Sequence, residues 1–207
     1  MLLWTVADGM GGHDAGQVAS GSVIQHLDAC PLPQRMGQCA HMVKNALVRC
    51  NRELREFAKE NNWKVVGSTV VSMVARANYC TLIWAGDSRI YRIREGEIRQ
   101  LTNDHSHVAE LVSQGHISEE EAELHPHANA ITRAVGAHDV LMLDSLTMEA
   151  LAGDQYVLCS DGLTAVMNRA DIKAVVMENP DGAGKALVEK AVERSTPDNV
   201  TAVVVSA

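Results

Sequence analysis

The sequence predicts an α+β domain in which two sheets pack face to face with helices outside them. Three runs rich in β-branched and aromatic residues, Ser68 to Ala75, Tyr79 to Ala85 and Arg89 to Arg94, are separated by turn residues and predict an antiparallel meander. The segment from Arg35 to Asn61 instead repeats its apolar residues at close to helical period. Helices grouped between clustered strands are typical of layered α+β domains.

The remaining elements follow from local patterns. Leu2 to Ala7 is a short apolar run that stops at Asp-Gly, as strands do at a sheet edge. Ser118 with Glu121 forms a capping box, which starts a short helix. Further helices are predicted at 16–27, 107–114, 118–124, 171–177 and 183–194, and further strands at 97–101, 155–159 and 199–205.

Composition narrows the class of protein. A chain of 207 residues is long enough for one domain with a substantial core, and its net charge of −8 argues against nucleic acid or an anionic membrane as partner. No apolar run reaches the length of a membrane span. The five cysteines are odd in number and lack C-x-x-C spacing, so we expect free thiols and a cytoplasmic protein.

Three aspartates stand where predicted strands begin or end. Asp8 and Asp161 are each followed by glycine after a strand, and Asp198 directly precedes one. Hard cations such as Mg²⁺ and Mn²⁺ prefer carboxylate, carbonyl and water oxygens, so convergent strand ends favour a metal centre. Asp-Gly is also ordinary turn chemistry, and the pattern alone leaves that reading open.

Several other phosphate and hydrolase chemistries are excluded by their motifs. The glycine-rich stretch at 8–16 fits neither a P-loop nor a dinucleotide-binding pattern. No H-E-x-x-H is present, which excludes that class of zinc protease. A cysteine-nucleophile phosphatase needs an arginine six residues after the cysteine, and the residues found there are Met36, Asn45, Glu56, Gly86 and Ala165.

Seven motifs in order resemble the bacterial metal-dependent protein phosphatases of type 2C. They are Val6-Ala7-Asp8-Gly9-Met10-Gly11-Gly12-His13, Gly67-Ser68-Thr69, Ala85-Gly86-Asp87-Ser88-Arg89, Leu101-Thr102-Asn103-Asp104-His105-Ser106, Ile131-Thr132-Arg133-Ala134-Val135-Gly136, Ser160-Asp161-Gly162-Leu163 and Asp198-Asn199-Val200-Thr201. The resemblance implies an α+β fold of four layers, with two antiparallel sheets packed as a sandwich and flanked by helix pairs. It also implies hydrolysis of phosphoserine and phosphothreonine in proteins by direct attack of water, without a phosphoenzyme.

The resemblance also assigns roles to individual residues. It implies a centre of two or three Mn²⁺ or Mg²⁺ ions: Asp8 bridges two of them, the Gly9 carbonyl contacts one, and Asp161 and Asp198 hold the other. Asp104 corresponds to a ligand for a weaker third ion, shared with Asp161. His13 is the candidate proton donor to the leaving oxygen, and a purely structural histidine remains the alternative there.

The segment 105–130 corresponds to a flap beside the site. Its histidines, His105, His107, His125 and His127, fit no usual zinc spacing, so we interpret them as surface or loop residues. The implied partners are phosphorylated proteins, a serine/threonine kinase among them, with the phosphatase acting as a monomer.

The family's first aspartate motif is normally preceded by a segment carrying a phosphate-binding arginine and an acidic metal ligand. Here only Met1 to Thr5 precede that motif, so we expect the 207-residue domain to be truncated at its N-terminus relative to the family. An active phosphatase is the first hypothesis. A catalytically weakened phosphoprotein-binding or regulatory domain of the same fold is the alternative.

Overall fold

Two antiparallel sheets form the centre of this chain. The computed structural model describes residues 2–118, 121–122, 125–127 and 130–207, with the side chain of His13 excepted. The strands are β1 (Leu2–Val6), β2 (Gly9–Met10), β3 (Gly67–Ser68), β4 (Val70–Arg76), β5 (Tyr79–Ala85), β6 (Arg89–Arg94), β7 (Glu97–Gln100), β8 (Asp144–Glu149), β9 (Gln155–Cys159) and β10 (Ala202–Ser206).

Strand order divides these elements between the sheets. The first sheet has the order β1-β4-β5-β8 and the second β10-β9-β6-β7, while β2 and β3 form a short ribbon. Every pairing is antiparallel, including Val6 with Val71 in the first sheet and Arg89 with Cys159 in the second.

Five of the six described helices lie on the outer faces of the two sheets, and the third along the chain lies in the flap-like segment. The six helices are α1 (His13–Asp28), α2 (Met36–Glu60), α3 (His107–Ser113), α4 (Asp161–Thr164), α5 (Arg169–Glu178) and α6 (Ala183–Glu193). Helices α1 and α2 pack on the first sheet, and α4 to α6 pack on the second. The result is the four-layer α-β-β-α sandwich, which confirms the fold class.

Both faces of the central strands are buried, which explains their almost continuous apolar sequences. In β4, Val70 and Val74 pack against α1 and α2, whereas Val71 and Met73 face the second sheet. Side chains alternate across a strand, so a strand covered on both sides must be apolar at successive positions.

Most predicted elements are confirmed, with shifted boundaries. The capping box is present: the Ser118 N–H donates to Glu121 Oε2 at 2.8 Å, and the Glu121 N–H donates to Ser118 Oγ at 3.1 Å. The rest of the helix predicted at 118–124 and part of the flap segment lie outside the described residues. Strand β8 was not predicted, because four of its six residues are exposed and it lacks an apolar run.

Helix α2, at 25 residues, is long enough to span a bilayer but carries many charged side chains. Across the described part of the chain, no helix combines the length and apolar character needed to cross a membrane.

Candidate metal centre

Strand register brings four aspartates to one end of the sandwich. Asp8 follows β1 and Asp87 follows β5, and both strands end beside Val70 and Val71 of β4. In the second sheet, Cys159 pairs with both Arg89 and Ala202, so Asp161 and Asp198 reach the same end. Aspartates separated by more than 100 residues therefore become neighbours through sheet pairing alone.

Thr69 joins the loop that carries Asp8 to the loop that carries Asp87. Its N–H donates to the Asp8 carbonyl at 2.8 Å, and its Oγ1 accepts from the Asp8 N–H at 3.2 Å. The same hydroxyl lies 2.7 Å from Ser88 Oγ. Because Thr69 is buried, these bonds are shielded from water and hold the two loops in register.

Ser160 joins the remaining two aspartate loops. Its N–H donates to the Thr201 carbonyl at 3.1 Å, and its Oγ accepts from the Thr201 N–H at 3.1 Å. Gly162 packs so closely on this loop that a Cβ there would overlap the Asn199 carbonyl oxygen. The absence of a side chain at Gly162 is thus what lets Asp161 approach Asp198.

The electrostatics of this end are those of crowded carboxylates. Burial, then the charge and hydrogen bonding of Asp161 and the charges of Asp198 and Asp87, hold the pKa of Asp8 well above its usual range. Burial and the charges of Asp161 and Asp104 raise the pKa of Asp87 to about 6. One proton or one cation is needed to relieve such repulsion.

The chemistry of these donors fits a hard divalent cation. Asp161 Oδ1 is buried and has no hydrogen-bond partner within the described structure, which is costly for a carboxylate oxygen unless a cation or proton satisfies it. The described side chains do not, in their present positions, form a group of three or more His, Cys, Asp or Glu residues able to hold a metal. Like charges repel, and cation binding would have to draw these carboxylates together.

Asp104 is engaged differently from the other predicted ligands. Arg89 binds both its oxygens, with Nη2 2.6 Å from Oδ2 and Nε 3.1 Å from Oδ1. Gln100 Nε2 donates to Oδ1 at 3.1 Å as well. A cation at Asp104 would compete with a bidentate arginine, so the third-ion role of this residue stays a prediction.

Asp87 is the residue that sequence reasoning left without a role. It lies within the motif Ala85 to Arg89, but the resemblance to the family as stated above assigns it no function. The sequence does mark Asp87 as a candidate ligand, because Gly86-Asp87 follows a strand just as Asp8-Gly9 does. Its position beside Asp161 makes it a second candidate for the ligand role predicted for Asp104.

His13 and Gly9 are placed by their backbones. His13 is the first residue of α1, following Gly11 and Gly12, and its side chain lies outside the described residues. Gly9 lies in β2 and pairs with Ser68. Proton donation by His13 and metal contact by the Gly9 carbonyl therefore stay predictions.

Three of the four flap histidines lie together. The ring centroids of His107, His125 and His127 are 5.8 to 6.5 Å apart, and His125 Nδ1 accepts from the His127 N–H at 3.2 Å. Within the described structure these rings do not form a metal-binding group either.

Cys159 ends β9, two residues before Asp161, but it is fully buried in the core behind the second sheet. Burial raises the pKa of this thiol to about 12. A thiol that stays protonated at neutral pH is not a nucleophile, in agreement with the missing arginine.

Known proteins share this sequence and fold along nearly the whole chain. A family model described as protein phosphatase 2C matches residues 1–193. The serine/threonine protein phosphatase PstP of Mycobacterium tuberculosis is 38% identical over 205 residues, which cover 98% of this chain and 40% of PstP. The chain thus spans less than half the length of that relative.

Two further comparisons cover more of the matched protein. The protein phosphatase PhpP of Streptococcus pneumoniae is 33% identical over 206 residues, or 97% of this chain and 84% of PhpP. The crystal structure of the catalytic domain of PstP in complex with two manganese ions superposes with a TM-score of 0.85 at 35% identity, covering 98% of this chain and 86% of that one. The match over the whole sandwich, and not one motif, decides the assignment: this chain belongs to the protein phosphatase 2C family.

Proposed function

We propose that this chain hydrolyses phosphoserine and phosphothreonine in proteins and requires Mn²⁺ or Mg²⁺ to do so. The observation that carries the proposal is the convergence of Asp8, Asp87, Asp161 and Asp198 at one end of the sandwich, with raised pKa values at Asp8 and Asp87. Family membership and the two manganese ions in the related PstP catalytic domain support the same chemistry.

The proposed roles of the site residues are metal binding and proton donation. Asp8, Asp161 and Asp198, with the Gly9 carbonyl, are the proposed ligands of two ions, and Asp87 or Asp104 with Asp161 is the proposed ligand set of a third. When bound, such ions lower the pKa of water and neutralise phosphate charge. The carboxylates hold and orient this centre, and His13 is the proposed donor of a proton to the leaving oxygen.

The proposed setting is a reducing compartment such as the cytoplasm. All five cysteines are free and buried, which suits a compartment without disulfide formation. The proposed substrates are phosphorylated proteins, a serine/threonine kinase among them, and the proposed active form is a monomer.

The test is an assay of phosphate release from a phosphothreonine peptide after exhaustive chelation and re-addition of MnCl₂. We expect no turnover in chelator, recovery with Mn²⁺, and loss of recovery in Asp198→Asn. The matched control is Asp181→Asn, which removes the same charge at an exposed residue in the turn between α5 and α6.

Full turnover in chelator would refute the metal requirement. Retained phosphopeptide binding without any turnover under Mn²⁺ would instead favour the phosphoprotein-binding alternative.

A further inference from the structure

The turn that carries Asp87 has an unusual backbone. Gly86 adopts a φ of +110°, and a Cβ at this position would lie 2.7 Å from Thr69 Cβ and Cγ2. The three heavy atoms nearest this position all belong to Thr69, and a glycine has no side chain of its own to fix the turn. The direction in which Asp87 points therefore depends on what holds the Gly86 peptide groups.

One residue, His105, holds both polar groups of Gly86. The His105 N–H donates to the Gly86 carbonyl at 2.9 Å. The Gly86 N–H in turn donates to Nδ1 of the His105 ring at 3.2 Å. Both residues are buried, so water cannot replace either bond without a structural change.

The hydrogen bonds of the two ring nitrogens fix the tautomer of His105. Since Nδ1 accepts from Gly86, the ring proton is on Nε2, which lies 3.1 Å from Asp144 Oδ2. Arg133 Nη1 lies 3.4 Å from the same nitrogen, but both are donors in this tautomer, so Asp144 is the acceptor they share. Trp84 stacks on the ring, with centroids 6.3 Å apart and planes inclined by 10°.

His105 also lies where the flap-like segment begins and ends. The Thr132 N–H donates to the His105 carbonyl at 2.7 Å, and Ser106 pairs with Ile131 in an isolated bridge. The two ends of the segment 105–130 are thereby fastened to each other and, through His105, to the turn that carries Asp87.

We infer that His105 is a positioning residue that, through Nδ1 and the Gly86 peptide, aims Asp87 at the metal centre and ties it to the base of the flap. This inference rests on the proposed function, because only a metal-dependent phosphatase gives Asp87 a metal ion to bind. A residue that only filled space against Trp84 would need neither an acceptor at Nδ1 nor a donor at Nε2.

Two isosteric variants separate the nitrogens. In His105→Asn the amide oxygen can take the place of Nδ1 and accept from Gly86. In His105→Gln the amide reaches the place of Nε2, near Asp144, and the Gly86 acceptor is lost. Both variants lose the stacked ring, so damage to packing is matched between them, and His41→Gln on the exposed face of α2 is the neutral control.

The first readout is amide exchange of Gly86, measured by NMR on chelated protein. We expect protection of the Gly86 amide to be kept in His105→Asn and to fall about tenfold or more in His105→Gln, because a buried hydrogen bond is lost. The second readout is the Mn²⁺ affinity measured by calorimetry. We expect His105→Gln to weaken the binding of the affected ion about tenfold, and we expect the affinity of His105→Asn to stay within about threefold of wild type. In an Asp87→Asn background the glutamine variant should add no further loss.

Equal Gly86 protection and equal Mn²⁺ affinity in the asparagine and glutamine variants, with wild type still binding Mn²⁺ and turning over substrate, would overturn the inference alone. A wild-type chain that neither binds Mn²⁺ nor hydrolyses a phosphopeptide would overturn the proposed function and this inference with it. Additive loss of Mn²⁺ affinity in the double variant would show that His105 does not act through Asp87.

Discussion

Neutralising Asp161 should stabilise the metal-free protein while it removes metal-dependent activity. Asp161 interacts with Asp8 by charge and by hydrogen bonding, and it is the largest charge acting on Asp87. Two unit charges about 4 Å apart repel by about 4 kcal/mol at an effective dielectric constant of about 20 and by about 1 kcal/mol in bulk water. Because these side chains are half-buried, we expect Asp161→Asn to raise the free energy of unfolding by about 2 kcal/mol in chelator at pH 8.

The size of this gain should depend on pH. An aspartate whose pKa is raised by folding binds a proton more tightly in the folded state, so stability falls as pH rises from its unfolded to its folded pKa. At pH 5 Asp8 is largely protonated and the repulsion is already relieved, so the gain from Asp161→Asn should mostly vanish. Mn²⁺ should reverse the order at pH 8, because it stabilises only a protein that binds it.

Thermal unfolding in EDTA and in MnCl₂, at pH 5 and pH 8, measures all of these effects. For a chain of this length about 2 kcal/mol corresponds to a rise in Tm of roughly 4 to 8 °C. Asp181→Asn changes the net charge equally and should leave Tm within about 1.5 °C, since exposed substitutions rarely exceed about 0.5 kcal/mol. A loss of stability in Asp161→Asn that is equal at the two pH values would refute the picture of crowded carboxylates.

Three further outcomes are expected. Asp104→Asn should lower the free energy of unfolding in urea by about 2 kcal/mol, because Arg89 loses a bidentate partner. Asp87→Asn should keep or raise stability in chelator and should weaken Mn²⁺ binding. The reverse pattern would show that Asp104, and not Asp87, is the metal ligand. Mn²⁺ affinity should rise with pH up to about 7, because Asp87 and Asp8 lose their protons with pKa values of about 6 and about 7, and a flat calorimetric profile from pH 5 to 8 would contradict this. Cys159→Ser should keep kcat/KM within about threefold in the peptide assay, and an inactive but folded variant would revive a cysteine mechanism.

Elements with strong local signals were predictable from sequence. The period of α2, the runs of β4 and β5, and the capping box of Ser118 with Glu121 each reflect interactions over a few residues. Strand β8 was missed because it is defined by its pairing with β5, 60 to 70 residues earlier, and four of its six residues are exposed. A strand whose partner supplies most of its stability leaves little trace in its own composition.

The sequence by itself determined the family and the layered fold. It also singled out Asp8, Asp161 and Asp198 as candidate metal ligands, because each of these aspartates lies at a predicted strand end marked by its neighbours. Only the tertiary structure decided how the carboxylates share the site. It paired Asp104 with Arg89, placed Asp87 beside Asp161, and put His105 on the Gly86 peptide. These outcomes depend on burial and on charges brought together by sheet register, and no spacing along the chain encodes the distance between two side chains on different strands.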